Sequence, residues 1–339
     1  MKICVDVCVC AFFVVPLQGK VKNNQTMKKI LTLVLALMAT TCLVHSADKD
    51  APQSSGEERQ FVINNCTVTP VREEPSEAAE QATQLMFGEV CELLEHRSSW
   101  AKIRSTMDGQ EGWVSYKMMT PVSNLIASSP HRPEAVVAIP MAVATDMATG
   151  EKRMLTIGTR LPNYANGTFE VLGKQYQIDP AGVYRLEDAS LQDGIGDAYR
   201  VLVNGKEATG EDVVRVAKSL LNVSYLWGGK NMMGYDCSGF TQTVYSVFGV
   251  NLLRNAREQV TQGEVVHSLA ESQPGDLVFF DHADRDPKAT RITHVGMLIS
   301  PTEVIHCSGC VHVDKIDEIG IRLANGELTH HLAQIKRYL

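Results

Sequence analysis

The sequence predicts a multidomain chain, two small all-β modules followed by an α+β domain, and three observations carry that prediction. At 339 residues the chain is too long for one core at about 100–200 residues per domain. Across residues 61–205 the apolar runs are short and punctuated by turn residues, as in strands. At Thr209 the apolar spacing changes to that of an amphipathic helix.

Composition narrows the function. With 44% hydrophobic and 21% charged residues the chain is an ordinary globular protein, which excludes wholesale disorder, a coiled coil and a multi-span membrane protein. The net charge is −7 and no basic block follows the chain, so nucleic acid is not an expected partner. The 25 glycines and 13 prolines have no period, which excludes a collagen-like or low-complexity architecture.

Residues 1–46 read as a processing region rather than as fold. Lys28 and Lys29 form a positive start after Met27, where translation is expected to begin. Ile30–Met38 is an apolar run of signal-peptide length, and Val44-His45-Ser46 offers a cleavage site near Ser46. The run is shorter than the roughly 20 residues a membrane anchor needs. Thr41 precedes Cys42 where a lipid-attachment signal wants a smaller residue, so export without lipidation, to the periplasm or outside the cell, is the expectation. Export leaves five of nine cysteines, Cys66, Cys91, Cys237, Cys307 and Cys310, and an odd number in an oxidising compartment leaves a free thiol.

Residues 47–60 are polar and read as a linker. The first β module, 61–122, has runs at Thr67–Val71, Gln84–Phe87, Val90–Leu94, Trp100–Ile103 and Gly112–Val114, with turns at Glu74-Pro75-Ser76 and Asp108-Gly109. The second, 123–205, has runs at Val136–Ile139, Met154–Ile157, Phe169–Leu172, Tyr176–Ile178 and Val183–Leu186, and Asn166-Gly167 predicts a two-residue hairpin turn. In 206–339, Val213, Val216, Ala217, Leu220 and Leu221 recur at helical spacing behind Thr209 and Asp212. A second helix begins near Asp236-Cys237 and carries Phe240, Val244, Val247 and Phe248. Strands at Asp276–Phe280, Thr293–Ile299 and Glu303–His306 complete an α+β domain.

The chemistry centres on Cys237, in Gly234-Tyr235-Asp236-Cys237-Ser238-Gly239-Phe240. A thiol where a helix begins meets the positive end of the dipole and unpaired N–H groups, which favour a thiolate and can hold an oxyanion. A buried structural cysteine is the bland alternative, and the Asp-Cys-Ser-Gly turn argues against it. A nucleophilic cysteine needs a base held by a third group. His294 heads one strand and His306 ends the next, so two antiparallel strands can set His306 against the far nitrogen of His294.

These residues bring a resemblance with them. Ser224-Tyr225-Leu226-Trp227-Gly228-Gly229, Asp236-Cys237-Ser238-Gly239-Phe240, Arg254-Asn255-Ala256, Gln273-Pro274-Gly275-Asp276-Leu277-Val278-Phe279-Phe280, Thr293-His294-Val295-Gly296 and His306-Cys307-Ser308-Gly309 resemble, in order, the motifs of the NlpC-type cell-wall cysteine peptidases. The preceding modules resemble bacterial SH3-like domains, Gly112-Trp113-Val114 matching a recurring element, and the architecture is similar to the γ-D-glutamyl-L-diamino-acid endopeptidases. The resemblance implies two SH3-like barrels followed by a papain-like α+β catalytic domain. It implies Cys237 as nucleophile, His294 as base and then acid, His306 as orienting residue, and Tyr225 beside the oxyanion, with Ser224 replacing the family's usual proline. It further implies that Glu89 and Tyr116, with Asp236 and Ser238, bind a substrate's free L-Ala amine. The implied partner is a peptidoglycan-derived muropeptide, L-Ala-γ-D-Glu-diamino acid, with no metal, cofactor or obligate protein partner. Diaminopimelate and lysine stay open as the diamino acid.

Other features have plainer readings. Cys307-Ser308-Gly309-Cys310 lacks the second CxxC of a zinc site and reads as packing, while a Cys66–Cys91 disulfide stays open. Asp281, His282, Asp284, Arg285 and Asp286 read as a solvated loop, and Trp100 and Trp113 as barrel core. Three competing functions remain: an amidase using the same Cys–His pair, a wall-binding adaptor with a decayed catalytic domain, and a zinc hydrolase on Cys237, His294 and His306. The intact Cys–His–His set argues against the adaptor.

Overall fold

A computed structural model of the chain describes residues 59–123, 135–188, 201–281, 291–323 and 325–339. The expected export region, most of the linker and the loop 282–290 lie outside the described residues.

Seven antiparallel strands build the first module: β1 (Gln60–Asn64), β2 (Val68–Arg72), β3 (Gln81–Met86), β4 (Val90–Arg97), β5 (Trp100–Ser105), β6 (Glu111–Ser115) and β7 (Met119–Val122), in the order β3-β2-β6-β5-β4-β1-β7. Alternation writes this sheet, as in β5, where Ala101, Ile103 and Ser105 are buried and the residues between them are not. Inward residues Val62, Val71, Leu85, Cys91, Ile103 and Val114 form one core. Trp113 is buried, with the Arg97 guanidinium 5.1 Å from its ring centroid, and Trp100 is half-buried. The sequence reading found five strands and missed β1 and β7. Phe61-Val62-Ile63 does not alternate, and Pro121 lies within β7, so neither segment carries the period-two signature. β1 also begins at Gln60, one residue inside the expected linker.

The second module holds β8 (Ala135–Val137), β9 (Met141–Asp146), β10 (Lys152–Thr156), β11 (Thr168–Val171), β12 (Lys174–Ile178), β13 (Val183–Asp188), β14 (Val201–Val203) and β15 (Lys206–Glu207). They form sheets β10-β9-β12-β11 and β15-β14-β13-β8. Asn166 and Gly167 have φ of 50° and 80° while Ala165 and Thr168 exchange both backbone hydrogen bonds at 2.9 Å, a two-residue turn with both central residues left-handed. Three strands, β9, β14 and β15, escaped the sequence reading, and β15 carries this module to Glu207, past the expected boundary at 205. Ile63 and Phe87 of the first module pack into the second module's core, Phe87 edge-on to Tyr176 at 5.6 Å.

The third part opens with α1 (Gly210–Lys218), closed at its start by a reciprocal cap: Thr209 Oγ1 accepts from Asp212 N at 3.3 Å, and Thr209 N donates to Asp212 Oδ2 at 2.9 Å. Leu220 and Leu221, expected on this helix, both lie beyond its end, Leu220 buried and Leu221 exposed. The hairpin β16 (Lys230–Asn231) and β17 (Gly234–Tyr235) leads into α2 (Cys237–Ser246), buried along its whole length, and then into the short α3 (Ala256–Gln259). A seven-stranded antiparallel sheet follows, from β18 (Glu264–Val266), β19 (Leu277–Asp281), β20 (His294–Ser300), β21 (Glu303–Ser308), β22 (Cys310–Lys315), β23 (Gly320–Arg322) and β24 (Leu328–Arg337). Its order is β18-β24-β19-β20-β21-β22, with β23 on β24. Phe240, Val244 and Phe248 of α2 share one core with Phe279, Val295, Met297 and Ile305 of the sheet.

Candidate active site

Cys237 is the first residue of α2, and Asp236 caps it. The Asp236 carboxylate accepts from Gly239 N at 2.6 Å, Gly228 N at 3.0 Å and the Ser238 hydroxyl at 3.2 Å. Arg254 closes the cage with two N–H groups, at 3.1 and 2.6 Å, and donates from Nε to Thr83 Oγ1 of the first module at 2.7 Å. Both charges of this pair are buried, so each needs the other. At Gly239 a Cβ would lie 2.1 Å from the Gly229 carbonyl oxygen, so only glycine lets the Gly228-Gly229 loop press against the helix start.

The backbone N–H groups of Val295 and Ser238 favour a thiolate at Cys237. Burial pushes its pKa up to about 11, and the neighbouring Asp236 carboxylate adds to the rise, outweighing those N–H groups and Arg254. This corrects the expectation of a thiolate at the helix start: the thiol rests neutral, because burial exceeds the help of the dipole.

A chain of side chains runs behind the thiol. His294 Nε2 lies 2.8 Å from His306 Nδ1, and His306 Nε2 lies 3.1 Å from Asp314 Oδ2. Sheet register explains the chain. Gly296 of β20 pairs with His306 of β21, His306 pairs with His312 of β22, and the two-residue period puts His294, His306, His312 and Asp314 on one face. A Cβ on Gly296 would meet Val304 Cγ2 at 2.6 Å and His306 Cβ at 3.0 Å, so the small residue keeps that face open. Burial holds the His294 imidazole well below its usual pKa, and the adjacent His306 and His330 add to that. His306 is lowered by burial, with Asp314 opposing, and the hydrogen bond to His306 keeps the Asp314 carboxyl low. With Nε2 committed to His306, Nδ1 is the His294 nitrogen left for the cleft.

Cys237 and His294 line one cleft of about 360 Å³, with Tyr225, Trp227, Asp236 and Ser238. Ala82 on β3 of the first module forms part of its wall, and Gln81 Nε2 holds the Trp227 carbonyl at 3.0 Å. Arg257 and Arg291, both exposed, also border it, a cationic feature absent from the sequence reading.

Two predicted substrate-binding residues are elsewhere. Glu89 is buried, its Oε1 3.2 Å from Lys230 Nζ, and it borders a separate cavity of about 10 Å³ with Met86 and Gln242, room for about one water. Tyr116 stacks on His96 with ring centroids 4.1 Å apart and packs against the first module's core. Neither lines the catalytic cleft. A sequence motif fixes a residue's place along the chain, whereas the direction of its side chain is set by the sheet it stands on.

All five described cysteines are free, so neither Cys66–Cys91 nor Cys307–Cys310 is a disulfide. Cys307 is buried and donates to the Tyr235 carbonyl at 3.2 Å, on the face opposite His306. Sequence reasoning missed Asp314 and the cage role of Arg254. The alternation His312-Val313-Asp314 was the available signal for the first, and the Arg254 motif for the second.

Residues 222–334 match the NlpC/P60 family and residues 71–117 match the bacterial dipeptidyl-peptidase SH3 domain. The chain is 27% identical over 234 residues to a gamma-D-glutamyl-L-lysine dipeptidyl-peptidase of Bacillus cereus, covering 66% of each protein. It is 27% identical over 237 residues to the protein of that name from Bacillus subtilis, covering 66% of this chain and 71% of the relative. The aligned part thus spans about two thirds of these relatives' length. The crystal structure of an NlpC/P60 family protein from Bacillus cereus shares the fold, with a TM-score of 0.65 at 20% identity over 82% of this chain and 99% of that one.

Proposed function

For a chain that carries an NlpC/P60 cysteine-peptidase domain behind a bacterial SH3 domain, we propose the activity of an exported endopeptidase that cuts the γ-D-glutamyl–diamino-acid bond of peptidoglycan stem peptides with a free N-terminal L-Ala. The observation that carries the reading is the cleft itself, which Cys237 shares with His294, the head of the His294–His306–Asp314 chain.

In this reading Cys237 Sγ passes its proton to His294 Nδ1 as it attacks the γ-carbonyl. Resting neutral, the pair exchanges that proton only when substrate fills the cleft. The Ser238 N–H and the Tyr225 hydroxyl hold the oxyanion. The new imidazolium donates from Nε2 to His306, which Asp314 steadies. Collapse breaks the C–N bond, His294 returns its proton to the leaving amine, and a thioester forms. Water, deprotonated by His294, then releases the L-Ala-D-Glu acid and the thiol.

Arg257 and Arg291 suit the free α-carboxylate that a γ-linked D-Glu carries. The wall from Ala82 and Trp227 favours a short, already released peptide over one attached to glycan. The requirement for a free L-Ala amine is assigned to Asp236 and Ser238, which line the cleft, without Glu89 or Tyr116.

The test is mass spectrometry of products from L-Ala-γ-D-Glu-diaminopimelate, its lysine counterpart and the N-acetylated peptide, under reducing conditions. Release of L-Ala-D-Glu, lost in Cys237→Ala, supports the peptidase. Equal cleavage of the acetylated peptide overturns the free-amine requirement. Failure on every short peptide with cleavage of an intact disaccharide-peptide at the muramoyl–alanine bond replaces the reading with the amidase.

A further inference from the structure

We propose that His306, His312 and Asp314 form a zinc site at the outer end of the histidine chain, and that filling it switches the peptidase off.

Three ligand atoms already converge. His306 Nε2 and His312 Nε2 lie 3.1 and 3.2 Å from Asp314 Oδ2, and all three donors fall within 4.8 Å of one another. Tetrahedral zinc with bonds of about 2.0–2.1 Å sets neighbouring ligands about 3.3 Å apart, close to these separations. His312 and Asp314 are two residues apart on β22, and His306 is the direct partner of His312 on β21, so three rigid strand positions supply the donors. The set is two imidazoles and one carboxylate, with a fourth position open to water.

The hydrogen bonding of His312 points to a cation more directly. Its Nδ1 lies 2.8 Å from the Cys310 carbonyl oxygen, which only accepts, so the Nδ1 proton is committed there. In the neutral ring Nε2 is then a lone pair facing a carboxylate oxygen 3.2 Å away, so the contact needs either a second proton on the ring or a metal cation between the two. A carbonyl that fixes the far nitrogen of a histidine is the usual outer support of a metal-ligating imidazole. The site is reached from solvent: the His312 and Asp314 side chains are 34% and 29% exposed, while His306 is 1% exposed.

The consequence for catalysis follows from counting protons, and this half rests on the function proposed above. In the metal-free chain His306 donates from Nε2 to Asp314 and accepts at Nδ1 from His294 Nε2–H, which leaves His294 Nδ1 a lone pair for Cys237. Zinc takes the lone pair of His306 Nε2, so that proton must sit on Nδ1 and point at His294 Nε2. His294 must then accept there and carry its own proton on Nδ1. No proton is gained or lost, yet the base now presents an N–H to the thiol and cannot deprotonate it.

The binding half is tested on the untagged full chain carrying Cys237→Ala, which removes the catalytic thiol as a competing ligand. Calorimetric titration with zinc chloride, and with cobalt(II) chloride read in the visible, is expected to show one site. Adding His312→Ala should weaken it by more than about tenfold, with a thermal melt to confirm folding. No site, or one indifferent to His312→Ala, overturns the proposal, and this arm needs no turnover. In the active protein, zinc should abolish cleavage and EDTA restore it, while His312→Ala stays active and resists zinc. Binding at the site with unchanged turnover overturns the switch alone. Absence of turnover without zinc counts against the proposed function and leaves the binding result intact.

Discussion

Replacing Arg254 by methionine tests the cage that holds the nucleophile. Its guanidinium is 1% exposed and makes two contacts to Asp236, one to Ser238 and one to Thr83 of the first module. Arg254→Met leaves the Asp236 carboxylate with the Gly228 and Gly239 N–H groups but no countercharge, and strands the Thr83 hydroxyl. Breaking a buried ion pair from one side costs about 3–5 kcal/mol. At about 2–4 °C per kcal/mol, the melting temperature should fall by about 6–20 °C. The assay is thermal and urea unfolding at pH 7, followed by tryptophan fluorescence, for Arg254→Met, Asp236→Asn and the double variant. The double variant should be more stable than Arg254→Met alone, because no buried charge remains unpaired. A loss below about 1 kcal/mol in Arg254→Met, or a double variant no better than the single, would refute the argument.

Five further outcomes follow from named contacts. Because the thiol is held up to about 11, its thiolate fraction at pH 7 is about 10⁻⁴; iodoacetamide alkylation should climb about tenfold per pH unit toward that value, and a plateau near pH 6–7 would show an ion pair instead. His294→Ala should lower kcat by about 10²–10⁴. Asp314→Asn, acting through His306, should cost less in kcat and leave KM in place, so a KM effect alone would remove Asp314 from the relay. Gly239→Ala drives a Cβ to 2.1 Å from the Gly229 oxygen and should destabilise by at least about 1–3 kcal/mol, read by urea melts. Glu89→Gln should lower stability through Lys230 without raising KM for free-amine peptides, whereas a KM rise confined to those peptides would return Glu89 to the substrate.

What could be read along the chain was local. The Thr209–Asp212 cap, the left-handed turn at Asn166-Gly167 and the apolar stripe of α2 each depend on residues within one or two turns, and each is visible as a pattern. Cys237 and His294 were legible too, because a helix start and a strand head are local features. Strands such as β1 and β9 were missed because burial does not follow the apolar pattern there: Val62, Ile63 and Asn64 are buried in succession in β1, and in β9 Val143 is exposed between buried Ala142 and Ala144. The reach of side chains across the fold was also hidden. Arg254 meets Thr83 at a separation of 171 residues, Glu89 turns to Lys230 at 141, and Asp314 joins the relay through the register of β21 and β22. Burial decided the state of the thiol against the helix dipole, and burial is a property of everything packed around a residue. The sequence by itself determined which chemical groups the protein has and how each short segment folds. Only the tertiary structure decided which groups meet and how dry they are, because hydrogen-bond distance and desolvation depend on atoms brought from distant parts of the chain.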